Sequence, residues 1–169
     1  SQLQGMGINS GSYSWNWANP EYTSYYTDEA GNLHIVAWKD QTLYDAACNS
    51  DLNVTNVTTV KLPLPLWGGF YAAPDGNFYV AAGQKNLNED NSITAVRILK
   101  YSRAWKLLGA TDIGGGYTNM FEGIYIPFDA ASLRMTQIGS TLIVHTGRKM
   151  YWMEGIHHQS NITFVINTQ

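Results

Sequence analysis

The densest grouping of chemically capable side chains lies near the end of the chain, in Arg148-Lys-Met-Tyr-Trp-Met-Glu-Gly-Ile-His-His-Gln. A guanidinium (Arg148), two rings (Tyr151 and Trp152), a carboxylate (Glu154) and two adjacent imidazoles (His157 and His158) fall within one short segment. The planar fork of arginine suits carboxylate or sulfate groups held bidentately. A nearby imidazole moves protons close to neutral pH. Arg134 and His145 stand just upstream and extend the same chemistry. If the chain is an enzyme, His145, Arg148 and His157 are the expected proton-transfer and charge-clamping residues. The substrate would then be an anionic or uronate-bearing glycan, handled by lyase chemistry or sulfate transfer. A zinc centre is not expected, because adjacent histidines on a strand point to opposite faces and cannot readily share one metal.

Two further segments carry functional side chains. In Lys85-Asn-Leu-Asn-Glu-Asp-Asn, the oxygen donors Asn86, Asn88, Glu89 and Asp90 are of the kind that calcium takes in flexible loops. The segment lacks the glycine and closing glutamate of an EF-hand loop, so an acidic solvated turn is the expectation, and no cofactor is expected. In Gly114-Gly-Gly-Tyr-Thr-Asn-Met-Phe, the rings of Tyr117 and Phe121 flank the amide of Asn119. Rings beside amides suit a sugar, whose apolar face stacks while its edges hydrogen-bond. The triple glycine lacks the lysine of a phosphate loop. No pair of carboxylates at a recognisable spacing supports a glycosidase, and no serine sits in a Gly-x-Ser-x-Gly elbow. The candidate ligand-binding set is therefore Tyr117, Asn119, Phe121, Arg134, His145, Arg148, Tyr151, Trp152 and His158.

The elements that must position these residues repeat. Gly31-Asn-Leu-His-Ile-Val-Ala, Gly76-Asn-Phe-Tyr-Val-Ala-Ala and Gly139-Ser-Thr-Leu-Ile-Val-His each pair a turn glycine with a β-rich apolar run. Six residues before each glycine stands Tyr25, Phe70 or Leu133. The copies are 45 and then 63 residues apart. A recurring four-strand unit of about 40–50 residues is the signature of a β-propeller blade. The predicted fold is all-β, with about three four-stranded antiparallel propeller-like blades forming an incomplete ring. A β-sandwich or jelly roll is the alternative. Predicted blade boundaries are 22–66, 67–116 and 117–169, behind an N-terminal segment 1–21.

Strands are expected at 22–27, 33–38, 42–48 and 56–62 in the first unit. In the second they are expected at 69–73, 78–82, 93–101 and 106–112, and in the third at 132–137, 141–146 and 161–167. The third unit then lacks a fourth strand, which residues 5–17 could supply. Residues 128–134 are the only stretch expected to form a turn or so of helix. Aligned on the glycines, His145 replaces Ala37 and Ala82, and Arg134 replaces Tyr26 and Tyr71. The connections between second and third strands, and from one unit to the next, should emerge on one common face. All the irregular length, at residues 83–92, 114–129 and 147–160, falls there.

Composition bounds the function. Charged residues make up 14% and the formal net charge is −3, so no basic field invites nucleic acid. Cys48 is the single cysteine, which excludes an intrachain disulfide and predicts a buried strand thiol. No apolar run reaches the roughly 20 residues of a membrane span. Asn53, Asn56 and Asn161 stand in Asn-x-Thr sequons.

The Gly-Asn turn before the second strand resembles that of bacterial extracellular β-propeller proteins, over residues 22–169. The ending Asp129-Ala-Ala-Ser-Leu-Arg-Met…Leu-Ile-Val-His-Thr…Met-Tyr…His-Gln-Ser-Asn looks like a signature of uncharacterised secreted bacterial proteins. That resemblance implies the propeller fold and a secreted or cell-surface location, and carries no activity. The expected function is recognition of a glycan or protein partner through the loop-bearing face. Part of a polysaccharide-modifying enzyme, and a structural segment completing a larger propeller, are the alternatives. Self-association, or a second chain supplying further blades, is expected because blade faces left open would place apolar surface in water.

Overall fold

The computed structural model describes residues 22–115, 123–129, 133–150 and 157–169. Among the described residues there is no helix, and twelve strands form three four-stranded antiparallel sheets. The first sheet runs β1 (Thr23–Thr27), β2 (Leu33–Lys39), β3 (Thr42–Cys48) and β4 (Val54–Lys61), in chain order. The second repeats this meander with β5 (Leu66–Ala72), β6 (Asn77–Gly83), β7 (Thr94–Ser102) and β8 (Leu107–Gly114). The third comprises β9 (Ile124–Pro127), β10 (Arg134–Ile138), β11 (Thr141–Met150) and β12 (His158–Asn167). The first sheet belongs to one compact unit, and Leu64–Gln169 belong to a second.

Turn chemistry explains the meander. Residues 28–32 and 73–77 close β1–β2 and β5–β6 with the same pair of backbone bonds: Gly31 N to Asp28 O with Asp28 N to Asn32 O, and Gly76 N to Ala73 O with Ala73 N to Asn77 O. The glycines sit at φ +84° and +82°, a region that costs a side chain but not glycine. The links 49–53 and 102–106 close in this same way, with Leu52 (φ 62°) and Trp105 (φ 59°) in the left-handed position. Asp40 and Gln41, both at positive φ, make a two-residue hairpin whose twist matches its flanking strands.

The third sheet departs from the expected plan. Pro127 pairs with Arg148 and Arg134 pairs with His145, so six residues separate the paired ends on this side of the ladder and two, Thr146 and Gly147, on β11. β9 and β10 are thus one lateral strand interrupted by a four-residue surplus. No helical turn forms in the described part of 128–134; Phe128 is a turn residue at φ 61°. β9 lies inside what the sequence marked as insertion, because a four-residue strand ending in proline gives little alternation to read.

Phe128 nevertheless organises the second unit. Its ring lies where side chains on Gly68 or Gly83 would otherwise project, and Leu133 covers Gly69 in the same manner. Around them Tyr79, Ala81, Val96 and Ile98 of the second sheet pack with Ile124, Leu142 and Val144 of the third. Met135, Ile162, Phe164 and Ile166 flank this core. At the tight-turn end, Gln137 seals the two sheets together. Its Nε2 donates to Asp75 Oδ2 (2.8 Å), its Oε1 accepts from Asp75 N (3.2 Å), and its own N donates to Tyr71 OH (3.2 Å). Burial alone would raise the Asp75 carboxyl, but hydrogen bonds from Tyr79, Gln137 and Asn77 outweigh it and hold it below its ordinary range.

Hairpin length also resets the third repeat. The β10–β11 hairpin spans Gly139 and Ser140 only, with Ile138 pairing Thr141, whereas 28–32 and 73–77 hold three residues between the paired ends. Counted from those pairs, Thr141 corresponds to Asn32 and Asn77. His145 therefore corresponds to Val36 and Ala81, and buried Thr146 to buried Ala37 and Ala82. Arg134, opposite His145, corresponds to Ser24 and Gly69, which oppose Val36 and Ala81. The glycine alignment was one residue out, and a one-residue slip exchanges the two faces of a strand.

Candidate functional site

In the second unit the two ends of the sheets differ. Three short turns, at 73–77, 102–106 and 139–140, close one end. Residues 84–93 and the described parts of 128–133 and of the β11–β12 connection occupy the other. Among the described residues the longer connections of this unit gather at one end, while residues 147–150, expected to be irregular, continue β11.

The 84–93 loop builds itself around Asn86, which is almost fully buried. Its Oδ1 accepts from Asp90 N (3.0 Å) and its Nδ2 donates to Asp90 O (3.0 Å). Its backbone N donates to Tyr125 O on β9 (2.8 Å), which fixes the loop to the neighbouring sheet. Asp90 turns inward to its own loop: Oδ1 accepts from Ser92 Oγ (2.6 Å) and Ser92 N (2.8 Å), and these bonds hold its carboxyl below the ordinary range. Asn86 and Asp90, two of the candidate calcium ligands, are engaged in shaping the loop. Among the described residues, no group of three or more acidic, histidine or cysteine side chains gathers around a common point where a metal ion could sit.

The loop presents Glu89, in the left-handed region at φ 53°, to His157 Nε2 at 2.5 Å. The imidazole lies flat on the Tyr125 ring, with centroids 3.9 Å apart and planes 7° from parallel. Lys149 Nζ stands 6.0 Å from the centre of that same ring. Alongside, Gln159 Nε2 donates to Asp129 Oδ2 (3.1 Å). Three segments distant in sequence therefore converge on a partly exposed polar patch with an aromatic floor. It offers carboxylates, an amide, an ammonium and an imidazole whose orientation Glu89 fixes.

The sequence-derived residues distribute differently from expectation. His157 belongs to the patch, and His158 is exposed at the start of β12. His145 lies within β11 on its exposed face, with Nδ1 2.9 Å from Thr163 Oγ1 and Arg134 directly opposite on β10. Arg148, three residues on, falls on the other side of the strand, is buried, and donates from Nη1 to Asn161 O (3.4 Å). The expected cluster of His145, Arg134 and Arg148 does not form, because side chains an odd number apart on a strand face opposite ways. Tyr117, Asn119, Phe121, Tyr151, Trp152 and Glu154 lie outside the described residues, as does the 5–17 segment.

The first unit holds a grouping that sequence reasoning missed. Asp45 is 5% exposed, and accepts from Tyr26 OH (2.7 Å) at Oδ2 and faces His34 Nδ1 (2.7 Å) at Oδ1. Tyr26 stacks on His34 at 4.5 Å, and Asp28 Oδ2 stands 3.3 Å from His34 Nε2. Hydrogen bonds donated by the Asn32 side chain and backbone, and then the His34 contact, keep the Asp28 carboxyl below its ordinary range. The available signal was a lone carboxylate inside the otherwise uncharged strand Thr-Leu-Tyr-Asp-Ala-Ala-Cys. Cys48, at the end of that strand, is buried as expected.

No protein-family model matches this chain, and a search of curated proteins finds no significant match.

Proposed function

We propose that the chain is an extracellular recognition module, secreted or displayed at a cell surface, that binds glycan through the loop-bearing end of its second unit. The carrying observation is the patch of Glu89, Tyr125, Asp129, Lys149, His157 and Gln159, in which loop residues are pinned to strand residues by direct polar and stacking contacts. A preorganised polar surface with an aromatic floor binds polyhydroxylated ligands without first spending free energy on ordering. The asparagines of all three sequons are exposed, which accords with a secretory route. Like other propeller-like repeats, the module works with further sheets, contributed by a second copy or a second chain.

The test is a glycan array probed with the full chain, comparing neutral with uronate-bearing and sulfated saccharides. Acidic glycans should be retained, and Lys149→Ala or Tyr125→Ala should weaken retention at least tenfold. Equal retention by both variants would exclude this end as the binding surface. A second reading, a polysaccharide-modifying activity, is favoured by one contact, the Glu89–His157 pair, since a carboxylate-oriented imidazole is a common proton-transfer device. It requires turnover of a uronate polymer, followed as unsaturated product, that His157→Gln abolishes while binding persists.

A further inference from the structure

Two donors of the Glu89–His157 patch are already answered by the chain's own carboxylates. A carboxylate only accepts, so His157 donates from Nε2 to Glu89 Oε1, as Gln159 Nε2 donates to Asp129 Oδ2. Lys149 adds an ammonium beside the same tyrosine. With both contacts seated, the patch sets two carboxylates against one ammonium around the imidazole. A saccharide carrying a carboxylate would meet like charge there. The site takes an acidic ligand only if one of its own carboxylates yields.

Glu89 is the one placed to yield. Its backbone is fixed, with its N donating to Asn86 O (3.0 Å) inside a loop held by buried Asn86. Its side chain is 42% exposed, so rotation about its own bonds carries the carboxylate into water. Asp129 has a shorter side chain and follows the buried ring of Phe128 that covers Gly68 and Gly83. His157 keeps its place when Glu89 leaves, because stacking on Tyr125 sets the plane of the imidazole. Departure of Glu89 therefore uncovers an aimed N–H donor with Lys149 nearby. Those are the groups that a second carboxylate requires.

We propose that Glu89 is the specificity-determining residue of this site: its carboxylate stands where a ligand's carboxylate binds, and a uronate-bearing saccharide enters by displacing it from His157. The inference rests on the glycan reading above and adds to it the position of the ligand's acidic group. A neutral sugar has no group to replace Glu89 on the imidazole and leaves the contact closed. The internal carboxylate reduces apparent affinity to the fraction of molecules in which the site is open. If Glu89 is seated about nine-tenths of the time, acidic ligands bind about tenfold more weakly than the open site would allow.

The experiment titrates the full chain with an oligomer of galacturonic acid and, as control, with the methyl ester of the same oligomer. Glu89→Gln keeps the length of the side chain and removes its charge. Expected are about tenfold tighter binding of the acid by Glu89→Gln, equal binding of the ester by both chains, and movement of the His157 ring resonances when acid is added to the unmutated chain. Binding of the acid by Glu89→Gln alone would be the extreme of the same result. Glu89→Ala, which cannot hold the imidazole at all, should show the same gain. Equal or weaker binding of the acid by either variant, or an equal gain for the ester, would overturn the inference and leave the glycan reading standing. Failure of the unmutated chain and both variants to bind the acid would overturn the two together.

Discussion

Three matched repeat positions are polar in the first unit and largely apolar in the second, and a tyrosine stands at the fourth in both. Tyr26, His34 and Asp45 of the first sheet correspond to Tyr71, Tyr79 and Ile98 of the second, and Asp28 corresponds to Ala73. In the first sheet they form a hydrogen-bonded chain around a stacked imidazole. In the second they belong to or border the apolar core closed by Phe128 and Leu133. Backbone pairing is nearly identical in the two, so the ladder tolerates either filling. What differs is how each fails: an apolar core loses stability through voids or overlap, and a buried polar chain through an orphaned partner.

That contrast can be tested by substitution. The largest effect is expected in the apolar core. Gly83→Val would set its β-carbon 2.6 Å from Ala95 O, a backbone atom that cannot yield. The variant should lose well over ~3 kcal/mol and fail to give a cooperative melt. Phe128→Ala should cost about 3 kcal/mol in denaturant titration by emptying the space over Gly68 and Gly83. A cost within experimental error would mean the ring is not the keystone of that interface.

In the polar sheet, Asp45→Ala leaves Tyr26 and His34 facing a void, and a loss of about 2 kcal/mol is expected. Asp45→Leu, which mimics the apolar filling of the second sheet, should recover part of it if the positions are interchangeable. A worse outcome for leucine would show that the polar chain is specified by its surroundings.

Acid sensitivity gives a smaller effect with a defined sign. The folded-state carboxyl of Asp75 is depressed relative to the unfolded chain, so its contribution is present above the ordinary carboxylate range and is lost as pH falls through the folded value. Asp112 behaves alike, chiefly through its hydrogen bonds from Arg97. Melting temperature should fall between pH ~5 and ~2, and Asp75→Asn should flatten that slope. An unchanged slope would assign the acid response elsewhere. The smallest effect should come from Leu52→Gly, a gain of roughly 0.5–1 kcal/mol from relieving left-handed strain at φ 62°.

The sequence made most strands legible because alternation and turn residues agree. Residues 42–48 were assigned to the residue, since β3 lies between two turns of strong local preference. The face of the third sheet was not legible, because a glycine marks a turn without stating whether two or three residues fill it. The expected cluster of Arg134, His145 and Arg148 failed for that reason and for side-chain alternation. His34 and Asp45 escaped notice because residues eleven apart in sequence meet only through the diagonal of a hairpin. The Glu89–His157 contact joins residues 68 apart, and no local pattern announces it.

The interruption between β9 and β10 has a practical consequence. Because β11 pairs with both halves of that strand, a cut made between Asp129 and Leu133 would remove no ladder pair: β10 keeps its partner within the second fragment, and β9 of the first fragment is held by β11 of the second. The molecule carries a natural seam there, along which it could be expressed as two pieces and reassembled.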